Sequence, residues 1–127
     1  QYGMVINMTY GEIKNILMGI DDPAMKLEMV MDFGKNTPPV PDGAICHEIH
    51  GCASFVEICQ YDSHFFARAD SLLVRGIVAI LLAMVDGKSI DEIKQMDLGK
   101  EFSELNLNLG AGRMNGLNSM ISFLQNL

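Results

Sequence analysis

The chain has 127 residues, 49% of them hydrophobic and 20% charged, and carries a net charge of −7 at pH 7. That length suits one domain with a real core, and that apolar content excludes intrinsic disorder. With only nine Lys and Arg, binding to nucleic acid is excluded as the main activity, because phosphate contacts need clustered cations; an acidic surface favours a partner with a basic docking patch.

Taken in chain order, Thr9-x-x-Glu12 is a capping box that opens a short helix to about Met18, closed by Gly19. Asp21-Asp22-Pro23 starts a second helix, with Pro at the first helical position and acids at the positive end of the dipole. Met25, Met29 and Phe33, with Val30 beside them, are expected on its buried face, and Gly34 is expected to stop it. The run Asn36 to Gly43, rich in proline, reads as an extended connection and a turn.

From Ala44 to Ala69 the apolar period changes to two. This predicts a three-stranded antiparallel meander, with a turn at Gly51-Cys52 and another at Tyr61-Asp62-Ser63. A hairpin turning on Gly51-Cys52 sets His50 opposite Ala53. It puts Ile45, His47, Ile49, Ser54, Val56 and Ile58 on the face toward the helices. Cys46, Glu48, His50, Phe55, Glu57 and Cys59 fall on the other face.

Asp70-Ser71 caps a strongly apolar helix running to about Val85 and ended by Asp86-Gly87. At about 15 residues it is short of the ~20 needed to cross a bilayer, and it reads as the central buried helix. A capping box at Ser89 to Glu92 begins a short helix to about Met96. Another short helix spans roughly Leu98 to Leu105. Gly110-Ala111-Gly112 leads into a last helix with Leu117, Met120, Ile121 and Leu124 on one stripe. Helices, three strands, then helices make an α+β domain expected over residues 1–127. No secretory leader is read at the N-terminus, so a cytoplasmic home is expected, or an organellar stroma if a transit segment was removed before Gln1.

Three cysteines without a C-x-x-C pair are a poor disulfide framework and fit a reducing compartment. Cys46 and Cys59 are expected as small hydrophobes in strands. Cys52 differs from them. It stands at a hairpin tip beside Gly51, a residue that allows close approach of another molecule. A thiol acts as a nucleophile only as its thiolate, and His50, two residues away, is a candidate to assist deprotonation. No third residue completes a triad with His47 or His64, which argues against a hydrolase and for a group carrier. The alternative reading is a metal or iron–sulfur scaffold using Cys46, Cys52, Cys59 and a histidine, although Cys-x5-Cys-x6-Cys is not a standard ligand spacing.

Four segments carry a resemblance. His50-Gly51-Cys52-Ala53-Ser54-Phe55-Val56 resembles the G-C-x-S-x-V segment of the SufE family of sulfur acceptors. Gly34-Lys35-Asn36-Thr37-Pro38-Pro39-Val40-Pro41 is similar to its G-K-x-x-P-P-x-P connection. Ala69 to Gly76 resembles its S-D-A-x-x-V-[RK]-G helix start, and Gly112-Arg113-Met114-Asn115-Gly116-Leu117 its S-R-x-x-G-L final-helix start. The four come in the family's order across about residues 22 to 124. Ala53, Phe55 and Ser71 depart from the family pattern.

The resemblance implies an α+β fold, also like that of the scaffold IscU, and a mechanism. A SufS-like cysteine desulfurase, which holds the pyridoxal phosphate, forms a persulfide. Cys52 takes its outer sulfur, stimulates the desulfurase and passes the sulfur to a scaffold such as SufB. No cofactor is implied in this chain, which acts as a carrier rather than a stand-alone enzyme. The resemblance also gives Arg113 a structural or docking role near the cysteine loop and Asp70 a place at the desulfurase interface beside its expected N-cap role. A cavity lined by Phe55, Phe65 or Phe66 and nearby methionines is expected to shelter the Cys52 sulfur until docking swings it out.

Overall fold

A computed structural model describes residues 8–127. The reading of the N-terminus as lacking a leader falls on residues 1–7, outside the described residues. Six helices and three strands follow one another as α1 (Tyr10–Met18), α2 (Pro23–Lys35), β1 (Ile45–Glu48), β2 (Val56–Tyr61), β3 (His64–Ala69), α3 (Leu72–Val85), α4 (Ile90–Gln95), α5 (Leu98–Ser103) and α6 (Ala111–Gln125). The expected α+β class holds. No helix among the described residues is long and apolar enough to cross a membrane.

α3 is the centre of the molecule. Leu73 and every residue from Gly76 to Val85 are buried, as a helix apolar on all sides requires. It packs on α2, β3, α1, α5 and α6. Its contact with α2 is backbone to backbone: a Cβ on Gly76 would lie 1.9 Å from the Val30 carbonyl oxygen, and one on Gly34 would lie 2.6 Å from that of Leu72.

Val30 and Phe33 are buried on α2 as expected, while that approach corrects the expectation for Met25. The buried row is Lys26, Val30, Phe33 and Gly34, while Met25 is exposed. Gly34 lies inside the helix, which runs on to a C-cap at Asn36. The helix is rotated so that the Val30–Gly34 ridge meets Gly76. Lys26, on the same row, lays its stem along the core and donates from Nζ to the Leu105 carbonyl at 3.0 Å, which satisfies a buried cation.

The sheet order is β1-β2-β3, antiparallel throughout. Asp62 and Ser63 make the second hairpin turn with positive φ, as expected of that segment. Ile49, Val56, Ile58, Phe65 and Ala69 are buried toward the helices. Ile49, Val56 and Ile58 are buried as expected, but His47, expected on the same face, is exposed and Cys59, expected on the outer one, is fully buried, and the predicted register does not hold. Cys46 stands opposite Cys59 and His47 opposite Ile58, two residues away from a tight turn at Gly51-Cys52. A shift of two preserves the side-chain alternation, so the faces survive it. It also moves Ser54 out of the ladder. Ile45, at the open end of the edge strand, is 66% exposed.

The shift decides the chemistry of two cysteines. Directly opposed, with Cα atoms 4.0 Å apart, Cys46 and Cys59 are joined by a disulfide. The expectation of two unpaired small hydrophobes is corrected by this pairing, and the odd cysteine left over is Cys52. The sequence-based argument against disulfides rested on count and spacing, which do not report which strand residues face each other.

Candidate functional site

The loop between β1 and β2 carries Cys52. The Ile49 N–H donates to the Val56 carbonyl at 2.8 Å and closes the base of the loop. Residues 50–55 then leave the ladder, and Gly51 and Cys52 pack on α6. Gly51 adopts φ +91°, in the left-handed region where a side chain is disfavoured, and a Cβ there would meet Ser119 Oγ at 2.5 Å. The next residue, Cys52, lies against Gly116, one turn back along α6. A Cβ on Gly116 would come within 3.2 Å of the sulfur. The Sγ lies 3.7 Å from the Gly116 carbonyl oxygen, toward which the thiol donates.

The cysteine is thus half-buried rather than free at a hairpin tip. It opens on a cavity of 260 Å³ between the loop, α3 and α6. Ala53 and Ser54 line it from the loop, Ser71, Val74 and Ile77 from α3, and Gly112, Arg113 and Met120 from α6. Of the side chains expected to shelter the sulfur, only a methionine class is represented, by Met120. Phe55 lies beside another depression, with Pro38, Pro39 and Arg75, and Phe65 is in the core. The walls come from helix positions brought together only by packing.

Burial pushes the Cys52 thiol up from its ordinary pKa, because desolvation disfavours the thiolate. The seated thiol therefore has its thiolate disfavoured. Its reactivity rises when the loop is drawn out of the cavity or when a partner brings positive charge to it. His50 does not supply that help here. It is exposed and lines a separate depression with Glu48, Asn118, Ser122 and Phe123, and among the described residues the thiol's hydrogen bond goes to Gly116 alone.

Arg113 does stand at the cysteine cavity. Its partner is the Leu109 carbonyl, to which Nη1 donates at 3.3 Å, so the guanidinium is held by backbone rather than by a carboxylate. Asp70 is not the N-cap of α3. That position is Ser71, whose hydroxyl accepts from the Val74 N–H. Asp70 is exposed, and its N–H donates to the Phe55 carbonyl at 3.3 Å, tying the far end of the cysteine loop to the start of α3. Arg75 donates to the Ala69 carbonyl at 3.0 Å.

The ligand set Cys46, Cys52, Cys59 and a histidine is not brought together. Among the described residues, the one group of three such donors close enough to share an ion is Cys46, Glu57 and Cys59, which omits Cys52 and every histidine. Two of its members are bonded to each other, and a disulfide sulfur is not the thiolate that zinc or iron takes. The residues present do not fit the alternative reading of a metal or iron–sulfur scaffold.

Sequence reasoning missed Gly116, Ser119, Val74, Ile77 and Met120 as parts of the cysteine cradle. Gly116 carried a legible signal: it is a glycine inside an otherwise regular helix, where it costs stability unless something needs its space.

The match to known proteins covers the same elements. A family model, SufE, described as an Fe-S metabolism associated domain, matches residues 11–127. An uncharacterized SufE-like protein of Rhizobium meliloti is 33% identical over 80% of this chain and 81% of its own length. The sulfur acceptor protein CsdE of Escherichia coli is 34% identical over 75% of this chain and 71% of its own. SufE-like protein 1, chloroplastic/mitochondrial, of Arabidopsis thaliana is 27% identical over 90% of this chain, which spans 33% of that longer protein.

Proposed function

The chain belongs to the SufE family, and from that premise we propose that it accepts sulfur from a cysteine desulfurase onto Cys52. The observation that carries the assignment to this residue is that Cys52, alone of three cysteines, is a free thiol. It lies on a loop outside the β1–β2 ladder. The pyridoxal phosphate of the reaction belongs to the desulfurase, and no cofactor is needed in this chain.

The transfer conserves atoms and electrons. The Cys52 thiolate attacks the outer sulfur of the desulfurase persulfide. The bond between that sulfur and the desulfurase cysteine breaks, and the desulfurase cysteine leaves as a thiolate. Cys52 then carries the –S–SH group. This is thiol exchange, governed by thiolate fraction and access, so the half-buried thiol, whose thiolate is disfavoured by burial, must first emerge onto the partner. Returned to the cavity against Val74, Ile77 and Met120, the persulfide is kept from solvent thiols and oxidants. The acidic surface supports docking on a basic patch. Asp70 at the loop anchor and Arg113 at the cavity rim are the residues assigned to that interface. Onward delivery to a scaffold such as SufB, stimulation of the desulfurase, and a cytoplasmic or stromal setting complete the proposal.

The test is intact-protein mass spectrometry after mixing the chain with a cysteine desulfurase and free cysteine. A gain of one or more sulfur atoms, removed by reductant and absent in Cys52→Ala, is expected. A gain that persists in Cys52→Ala, or none with an active cognate desulfurase, overturns the assignment.

A further inference from the structure

The bond between Cys46 and Cys59 spans the two strands that lead into and out of the Cys52 loop. β1 is a poor strand without it. It has four residues, stands at the sheet edge, and is mostly exposed. Its last pair sets Glu48 opposite Glu57, a like-charge contact that works against pairing. Arg68 offsets only one member, with Nη1 2.8 Å from Glu57 Oε1. Beyond the ladder, β1 is held by the Ile49 side chain and by the His47 ring, 5.5 Å from that of Phe123 on α6. The disulfide is the covalent hold on an otherwise weak strand.

We infer that Cys46 and Cys59 form a thiol–disulfide site whose redox state sets how readily the Cys52 loop leaves its cavity. Closed, the bond fixes both ends of the loop and keeps Cys52 seated on Gly116. Opened, it lets β1 fray from β2, and the loop emerges more often. The inference rests on the sulfur-acceptor reading for its biological meaning, since a seated Cys52 is a slower acceptor.

The chemistry requires a dithiol reductant. One of its thiolates attacks Cys46 Sγ, the more accessible half of the bond, since Cys59 is fully buried. The Cys46–Cys59 bond breaks, and Cys59 leaves as a thiolate and takes up a proton. The second reductant thiol, as its thiolate, attacks its partner sulfur, closes the reductant's own disulfide and releases Cys46. Two electrons pass from the dithiol to the protein. In the closed form the Cys46 sulfur lies 3.9 Å from Arg68 Nη1, so a cation stands beside the sulfur that must leave the mixed disulfide.

The test needs no desulfurase, so its outcome is separable from that of the sulfur-transfer assay. Iodoacetamide labelling of Cys52 is followed by peptide mass spectrometry on the disulfide-closed protein and on the dithiothreitol-reduced, desalted protein. Reduction is expected to speed Cys52 labelling by about tenfold or more, which takes up only part of what a disulfide typically contributes to stability. A Cys46→Ser, Cys59→Ser double variant is expected to label at the reduced rate with or without dithiothreitol. If that variant does not fold, the reduced wild-type protein decides the question. Equal Cys52 rates in the closed and reduced forms would overturn the inference. So would failure of Cys46 and Cys59 to pair on oxidation, or a faster rate accompanied by loss of the far-UV helical signal, which would mean global rather than local opening.

Discussion

Gly116→Ala tests the cysteine cradle directly. In a helix interior this change ordinarily stabilises by about 0.5–1 kcal/mol, through the unfolded-state entropy glycine loses on folding. Here the new methyl carbon would stand 3.2 Å from the Cys52 sulfur and 3.6 Å from its Cα and Cβ. The loop must yield by a few tenths of an ångström, and overpacking of this kind costs about 1–3 kcal/mol. The net expectation runs from near neutral to about 2 kcal/mol of destabilisation. Because the strain falls on the Cys52 side of the contact, iodoacetamide labelling of Cys52 should also speed up severalfold. Gly112→Ala is the control: it lines the same cavity, but a Cβ there meets nothing within 4 Å. It should be neutral or slightly stabilising, with Cys52 labelling unchanged. Urea unfolding and peptide-level labelling of both variants are the assays. If Gly116→Ala were stabilised like Gly112→Ala, with the wild-type Cys52 rate, the packing of Cys52 on α6 would be refuted.

Gly76→Ala should destabilise by more than about 3 kcal/mol in urea unfolding, because its methyl would overlap the Val30 carbonyl and neither backbone can move without parting α2 from α3. Ser71→Ala should cost about 1 kcal/mol through the lost N-cap of α3, while Asp70→Ala should stay within about 0.5 kcal/mol; equal costs would mean the cap is misassigned. The pH profile of Cys52 labelling, taken with the Cys46–Cys59 bond closed, should have its midpoint higher in the folded protein than in urea. Burial raises the folded pKa above the unfolded one. The stability linked to this thiol is therefore full below the unfolded pKa and declines as pH rises through the folded pKa. A folded midpoint at or below the unfolded one would contradict the buried placement of the sulfur.

The sequence by itself determined the elements and much of the site's identity. Its capping boxes at Thr9 and Ser89, the Pro23 helix start and the period-two run from Ala44 are local signals. They act over three or four residues, and the chain obeys them wherever it folds. The same locality made Cys52 legible as an unusual cysteine, since Gly51 announces a backbone that side chains avoid. Alternation also gave Ile49, Val56 and Ile58 as inward residues correctly, because side-chain direction in a strand depends only on parity.

What parity cannot fix is register. A loop of six residues instead of two moves the pairing by two positions and converts Cys46 and Cys59 from strand filler into a disulfide. Likewise, only tertiary packing decided that α2 turns Gly34 inward beside the expected Val30 and leaves Met25 outside, since hydrophobicity favours any apolar stripe but the Gly76 contact admits one. The cavity around Cys52 draws on positions 52 to 54, 71 to 77 and 112 to 120. No local rule brings those stretches together. Their meeting follows from burying α3, which is why the thiol's raised pKa and its shelter are properties of the fold rather than of the motif that carries it.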